Sequence, residues 1–119
     1  MCIRDSRRAR HVVRVAPAPQ RRGLFDRAVE LAIGVLAFSK SLARALAPDV
    51  RVNVLCPGWI ETAFAEHADR EFHRSVEQAT PLGRWGHPHD VAGAALYLAS
   101  PEAAFITGQA INVNGGVVM

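Results

Sequence analysis

The sequence has little of what a disulfide-stabilised, metal-binding or membrane-spanning protein requires. Its 119 residues include only two cysteines, Cys2 and Cys56, which form no CxxC or CxxxC spacing. This argues against a disulfide framework and against a zinc site. The longest strongly apolar run, residues 31–38, has eight residues, whereas a helix needs roughly 20 to cross a bilayer. We therefore expect one domain at most, a cytoplasmic location and no membrane association.

Residues for proton transfer and phosphate binding are also scarce. The chain has one lysine, Lys40, and one tyrosine, Tyr97, which we interpret as a packing residue. It contains no GxGxxG-like string, the glycine pattern that lets a dinucleotide-binding loop approach a pyrophosphate. Four histidines lack the one-face i, i+4 spacing of a helical metal site. We expect them to be exposed and to bind no metal: His67, His73, His87 and His89.

Positive charge is concentrated near the N-terminus. Residues 1–27 contain eight arginines and two aspartates, whereas residues 28–119 contain more acidic than basic side chains. A basic arm can bind nucleic acid through its phosphates, but this one lacks stacking aromatics. It also lacks apolar periodicity, and GC-rich DNA read out of frame yields a similar composition. We interpret residues 1–23 as an anomalous basic segment, disordered or frame-shifted, and expect no nucleic-acid partner.

From Leu24 onward the hydrophobic pattern becomes regular, and residues 24–119 are predicted to form the folded part. A long helix is predicted up to Pro48, because five apolar residues recur at helical spacing as one buried stripe: Leu31, Val35, Phe38, Leu42 and Leu46. Residues 51–56 are rich in β-branched residues and largely apolar, which is typical of a central strand in a parallel sheet. Within this strand, Asn53 is interpreted as a polar tie between strand and loop.

The rest of the chain alternates helix and strand signals. Residues 59–80 are polar and acidic, and we predict a loop with one or two mobile helices. Pro88 is placed to open a further helix that ends before Pro101. Residues 109–113 alternate as a second strand, and residues 114–116 form a turn. The order of helix, strand, insertion, helix and strand indicates an α/β fold.

Several short strings in this region occur in a fixed order. They are SLARALAP at 41–48, VRVNVLCPGWIET at 50–62, TPLGR at 80–84, DVA at 90–92, LYLAS at 96–100, ITGQ at 106–109 and VNGG at 113–116. In this order and spacing they strongly resemble the C-terminal half of the short-chain dehydrogenase/reductase family, from about residue 33 onward. One departure is Asn114, where the family commonly has aspartate.

The resemblance implies the C-terminal part of a Rossmann-type doubly wound parallel sheet, incomplete in this chain. It implies NAD or NADP as cofactor and a small alcohol or carbonyl compound as substrate. In the family a tyrosine and a lysine four residues later carry out catalysis, and their positions correspond to Ala28 and Ala32. A methyl group can neither transfer a proton nor hold a ribose. The resemblance therefore assigns no catalytic residue to this chain.

A cofactor-binding segment is nevertheless implied. In the family a Pro-Gly pair, with the isoleucine and threonine that follow, lines the nicotinamide half of the site. The matching residues here are Pro57, Gly58, Ile60 and Thr62. Gly58 would let the backbone approach the ligand, and the Thr62 hydroxyl and the backbone around Ile60 can hydrogen-bond a carboxamide.

Two functions follow from the resemblance. The first is an NAD(P)-dependent oxidoreductase, present as a fragment and inactive on its own, in which residues 63–80 would set the substrate. The alternative is a catalytically inactive fragment that acts only as an association module. Family members form oligomers through the long helix and through the last helix and strand. We also expect the strand at 51–56 to lack a neighbour on one side, which favours pairing with another chain. A homo-oligomer is therefore expected.

Overall fold

The computed structural model describes residues 2–4, 10–15 and 22–117, with side chains from Glu30 onward apart from Phe64. The elements of this part of the chain are, in sequence order, β1 (Cys2–Arg4), β2 (Arg10–Val15), α1 (Arg22–Ala45), β3 (Val50–Pro57), α2 (Ala63–Glu66), α3 (Arg70–Ala79), α4 (Pro88–Ala99), a 3₁₀ turn (Pro101–Ala103) and β4 (Ala110–Val113). None of the helices described combines the length and the apolar character needed to cross a membrane.

The strands form one sheet in the order β1-β2-β3-β4. β3 pairs in parallel with β2, where Val52 lies opposite Val12, and in parallel with β4, where Leu55 lies opposite Ile111. β1 runs antiparallel to β2 at the edge. The predicted parallel pairing of the strands at 51–56 and 109–113 is confirmed. The expectation that the first of these lacks a neighbour on one side is wrong, because β2 occupies that side.

The strands β1 and β2 fall within residues 1–23, where the sequence pattern predicted no regular element. Residues 10–15 contain three valines, which favour a strand, and they pair along their whole length with β3. The high arginine content of the segment concealed the strand signal of these valines. Residues 1, 5–9 and 16–21 lie outside the described part, so the interpretation of the segment as disordered or frame-shifted remains a prediction.

β3 is buried on both faces, as its sequence predicted. Residues 51–55 are all buried, and successive side chains of a strand point to opposite faces. On one face Leu55 packs with Leu98 of α4 and with Ala103 in the 3₁₀ turn. Val52 and Val54 point to the opposite face, which the long helix α1 covers, since it is the other helix that contacts β3. Helices on both faces of a parallel sheet define a doubly wound arrangement.

The buried face of α1 differs from the predicted stripe. The residues that pack fully are Ser39 and Ala43, whereas Leu31 and Phe38 are 59% and 51% exposed. Periodicity marked the correct helix, but its fully buried residues are small, and large apolar residues were mistaken for the buried ones. Ser39 is thus buried although it is polar.

Two polar side chains of β3 tie the strand to the chain beyond α4. Asn53 donates from its side-chain amide to the carbonyl of Ile106 at 2.9 Å, and its oxygen accepts from the backbone N–H of Gln109 at 3.0 Å. Arg51 donates to the carbonyls of Leu98, at 2.7 Å, and Ile106, at 3.1 Å. Both side chains are buried, and their bonds fix where α4 ends and where β4 begins. The structural role predicted for Asn53 is therefore present.

Replacing Asn53 with alanine should lower the free energy of unfolding by roughly 1–2 kcal/mol, because the N–H of Gln109 loses its acceptor and the carbonyl of Ile106 keeps only its bond from Arg51. Urea denaturation followed by circular dichroism measures this difference. The control is Asn112→Ala, which removes the same group from an exposed position on β4 and should change the free energy by less than about 0.5 kcal/mol. Equal losses in the two variants would contradict the role of Asn53.

Candidate functional site

The predicted cofactor segment begins where two parallel strands end. Pro57 is the last residue of β3 and lies opposite Val113, the last residue of β4. The backbone N–H of Gly58 continues the pairing and donates to the carbonyl of Val113 at 3.1 Å. In open α/β sheets ligands bind outside the carboxyl ends of the strands. The segment 57–62 therefore leaves the sheet at the edge where a ligand site is expected.

Gly58 has a packing role at this edge. A Cβ atom added to Gly58 would lie 2.8 Å from both the Cα and the Cβ of Asn114, in the turn that follows β4. No side chain fits there, so the two strand ends can meet only if residue 58 is glycine. The structure thus gives the glycine a reason that the sequence pattern did not suggest, and its approach to a ligand remains a prediction.

Beyond Gly58 the segment is attached to the loop that precedes α4. The N–H of Glu61 donates to the carbonyl of Gly86, and the N–H of Gly86 donates to the carbonyl of Trp59, both at 2.8 Å. These bonds form a parallel bridge between Ile60 and Gly86. The backbone around Ile60 is therefore held from one side by residue 86.

A charged network surrounds this bridge. Arg84 makes a two-pronged ion pair with Asp90, at 2.8 and 3.1 Å, and Asp90 also accepts from the backbone N–H of His87 at 2.7 Å. The hydrogen bond from Arg84, followed by that from the His87 backbone, holds the pKa of Asp90 well below its usual range. The ring of His87 lies 2.7 Å from the carboxylate of Glu61. The network connects the start of α4 with the residue after Ile60.

Aromatic rings dock the insertion onto the same region. The ring of Trp59 packs edge-on against Phe72 of α3, at a centroid distance of 5.4 Å, and against Trp85, at 5.9 Å. Trp85 is buried, and its indole N–H donates to the carbonyl of His73 at 3.3 Å. The predicted loop with one or two helices is present as α2 and α3, and these rings attach it to the cofactor segment.

Two clefts flank the segment. One, with a volume of about 510 Å³, is lined by residues that include Ile60, Pro81, Arg84 and Asn114. The other, of about 460 Å³, is lined by residues that include Thr62, Glu66 and His73. Both volumes fall in the range of small-molecule sites. The structure places the four predicted residues in one continuous segment, but it directs Ile60 and Thr62 to different clefts.

The positions that correspond to the catalytic pair lie on α1, with Ala32 one helical turn after Ala28. The only lysine, Lys40, is exposed two turns further along the helix. Tyr97 is half-exposed on α4, so its interpretation as a packing residue within this chain is wrong. Its helix turns Leu98 inward instead.

The histidines take part in local contacts. His73 bonds the carbonyl of Ala65 at 2.8 Å and is half-buried, which differs from the predicted exposure. The rings of His87 and His89 stack at 5.2 Å. Within the part of the chain that the structure describes, no group of three or more His, Cys, Asp or Glu residues is placed to hold a metal ion.

These features define the C-terminal part of a Rossmann-type doubly wound sheet, with an open ligand edge. The family described as enoyl-(acyl carrier protein) reductase matches residues 32–118. A 3-oxoacyl-[acyl-carrier-protein] reductase FabG from Vibrio cholerae is 45% identical over 87 residues, which cover 72% of this chain and 36% of that protein. The corresponding reductase from Aquifex aeolicus is 45% identical over 85 residues, 71% of this chain and 34% of that protein.

Solved structures agree with the sequence relatives. A short-chain dehydrogenase/reductase from Brucella melitensis, described as a glucose/ribitol dehydrogenase, superimposes with a TM-score of 0.79 at 30% identity. The match covers 92% of this chain and 45% of that one. The chain belongs to the short-chain dehydrogenase/reductase family, as its motifs predicted. It spans about a third of the length of the curated relatives that it matches.

Sequence reasoning missed the residues that hold the cofactor segment. Arg84 and Asp90 both lie within strings that carried the family resemblance, but no part in holding the segment 57–62 was assigned to them. Arg84 and Asp90 carry opposite charges six residues apart, on either side of the Gly-His-Pro sequence where α4 begins. This pattern could have predicted an ion pair at the helix start.

Replacing Asp90 with asparagine should lower the melting temperature at neutral pH, because the amide cannot form the ion pair with Arg84. Since the pKa of Asp90 is depressed in the folded chain, the stability that its carboxylate contributes is fully present above the unfolded-state pKa of about 4. It is lost progressively as the pH falls below that value toward the folded-state pKa.

Thermal melts of both proteins at constant ionic strength should therefore show a steady gap from about pH 7 to about pH 5, narrowing from about pH 4 downward. Asp49→Asn, in the exposed turn before β3, is the control and should show little gap at any pH. A gap for Asp90→Asn that stays constant down to about pH 2 would rule out this linkage.

Proposed function

We propose that this chain is part of an NAD(P)-dependent oxidoreductase that transfers a hydride between a nicotinamide cofactor and an alcohol or carbonyl substrate. The observation that carries the proposal is the segment 57–62, which leaves the carboxyl end of β3 beside the end of β4. This is the edge at which doubly wound sheets bind dinucleotides. The family membership of residues 32–118 supports the same assignment.

The residues at this edge fit a nicotinamide carboxamide. Along an extended backbone successive peptide groups point in alternate directions. Because Trp59 and Glu61 direct their groups to Gly86, the N–H and C=O of Ile60 face the other way. A carboxamide needs one donor and one acceptor, and Ile60 offers both from its backbone. The exposed hydroxyl of Thr62 adds a third hydrogen-bonding group. The bound nicotinamide would supply or accept the hydride.

The chain does not supply the proton-transfer pair of the family. Alanine occupies positions 28 and 32 on α1, and neither methyl group can exchange a proton with a substrate or lower the pKa of a neighbouring hydroxyl. The family's glycine-rich pattern for the adenosine half of the cofactor is likewise absent from the sequence. We therefore propose that this chain, taken alone, is a catalytically inactive fragment of the family.

The substrate class follows from the named relatives. Two of those described above are 3-oxoacyl-[acyl-carrier-protein] reductases, which leads us to propose a carbonyl compound of the 3-oxoacyl type. The insertion that carries α2 and α3 lies beside both clefts through Trp59 and His73. It is the part of this chain that would contact such a substrate.

A second candidate function is association, and exposed apolar side chains favour it. Leu31 on α1, Leu96 on α4 and Phe105 in the loop before β4 are 59%, 67% and fully exposed, respectively. β4 also forms one edge of the described sheet, and strand edges readily pair with another chain. We propose that these surfaces bind a second copy of the chain or an intact homologue.

Cofactor binding tests the first proposal. Titrating the chain with NADH and with NADPH, followed by cofactor fluorescence, should show weak binding that Thr62→Ala reduces by roughly threefold to tenfold, the effect of one lost hydrogen bond. No turnover of a 3-oxoacyl substrate is expected with either cofactor. The control is Ser41→Ala, which removes an exposed hydroxyl from α1. Equal affinities for all three proteins would reject Thr62 as a cofactor ligand, and turnover would reject the inactive assignment.

Sedimentation velocity at low micromolar concentration tests association. We expect dimers or larger species, because large apolar side chains on α1, on α4 and in the loop before β4 are exposed. Leu31→Gln and Leu96→Gln/Phe105→Gln alter one surface each, and the variant that shifts the chain toward monomer identifies the interface. A single monomeric species for the unaltered chain would contradict the proposal.

A further inference from the structure

We propose that Arg84, Gly86 and Asp90 are positioning residues, which fix the backbone of Ile60 in the orientation that a carboxamide requires. The inference rests on the proposed cofactor site, since it concerns how that site is held. None of the three residues is required to touch the cofactor. Their effect passes through the bridge between residues 60 and 86.

The segment needs such support because it has left the sheet. The last ladder bond of β3 is the one from Gly58 to Val113. The next backbone groups that form bonds are the carbonyl of Trp59 and the N–H of Glu61. Both form hydrogen bonds with the backbone of Gly86 at 2.8 Å. The direction of the intervening Ile60 peptide groups therefore depends on the position of one residue in a loop.

Asp90 fixes that loop on both sides of Gly86. Its carboxylate receives two bonds from Arg84, two residues before the glycine, and one from the N–H of His87, the residue after it. Arg84 also donates to the carbonyl of Trp85 at 2.7 Å. A single carboxylate on the first turn of α4 thus ties residues 84, 85 and 87 around the bridging residue.

Gly86 adds a steric condition. A Cβ atom at this position would lie 2.5 Å from the Cδ1 of Ile60. The isoleucine side chain would have to rotate to make room, which alters the cleft that it lines. Glycine at position 86 therefore lets the two backbones form their bridge while the Ile60 side chain remains against the loop.

The exposure and geometry of the ion pair favour a local restraint beside a modest contribution to overall stability. The side chains of Arg84 and Asp90 are 47% and 26% exposed, and exposed ion pairs contribute little to stability in general. The pair of Arg84 and Asp90 is an exception, because its two parallel bonds and the bond from the His87 backbone restrain the direction of the groups that they join. The second link, from His87 to Glu61, is similarly exposed and acts beside the first.

Amide hydrogen exchange of the ¹⁵N-labelled full chain, measured by NMR, tests the proposal directly. The N–H groups of Glu61 and Gly86 report the bridge. We expect both to exchange at least roughly fivefold faster in Asp90→Asn, as when a capping carboxylate is lost, while the amide of Val54 in β3 accelerates less, through the loss of overall stability alone. Arg84→Lys keeps the charge but loses the fork, and should give an intermediate rate.

The matched control is Asp69→Asn. Asp69 caps α3 through the N–H of Phe72 at 2.7 Å, so this variant removes an equivalent carboxylate from a neighbouring helix start. It should leave the exchange of Glu61 and Gly86 unaltered. Gly86→Ala tests the steric part of the proposal. It should shift the Ile60 methyl resonances with little change in melting temperature.

Unchanged exchange at Glu61 and Gly86 in Asp90→Asn, or an equal increase at Val54, would overturn the positioning role. The NADH titration is a separate readout. If the unaltered chain binds no NADH while Asp90→Asn still accelerates exchange, the cofactor proposal fails and the positioning of the Ile60 backbone stands. If NADH binds and exchange is unaffected, the cofactor site stands and these residues do not position it.

Discussion

The two halves of the described fold depend on the hydrogen bonds of the buried Asn53 side chain. It reaches from the central strand to Ile106 and Gln109, at the point where the chain returns from α4 to start β4. Arg51, two residues earlier on the same face, bonds the last carbonyls of that helix. Because these groups are buried, any displacement of the returning chain would leave unpaired polar atoms in the core. The register of β4, and with it the ligand edge, follows from this constraint.

The ligand edge is assembled by contacts of a different kind. Glycine at position 58 brings the two strand ends together, whereas the backbone beyond it is held by a loop residue and by the charge of Asp90. The core is held by apolar packing and by the hydrogen bonds of Asn53 and Arg51, whereas the contacts around Ile60 include a carboxylate whose ionisation matters. The fold and the candidate site therefore differ in what can disturb them.

Local sequence patterns predicted an element well where a single structural role explains the pattern. The β-branched run of β3 and the Pro88 start of α4 identified a buried strand and a helix at nearly the observed bounds. The buried stripe of α1 was predicted incorrectly, because helical periodicity cannot tell a face that small residues bury from one that large residues leave uncovered. The bridge of Ile60 to Gly86 spans 26 residues, and no local pattern encodes such a pairing.

Both tryptophans of the chain, Trp59 and Trp85, lie in the cluster that attaches α3 to the cofactor segment. Their fluorescence is therefore an optical signal of that one region. Detachment of the insertion would change the emission even if the sheet stayed intact, and α1 could loosen without any change in it. A fluorescence transition and a circular dichroism transition of this protein need not coincide, and the difference between them would measure how independently the insertion moves.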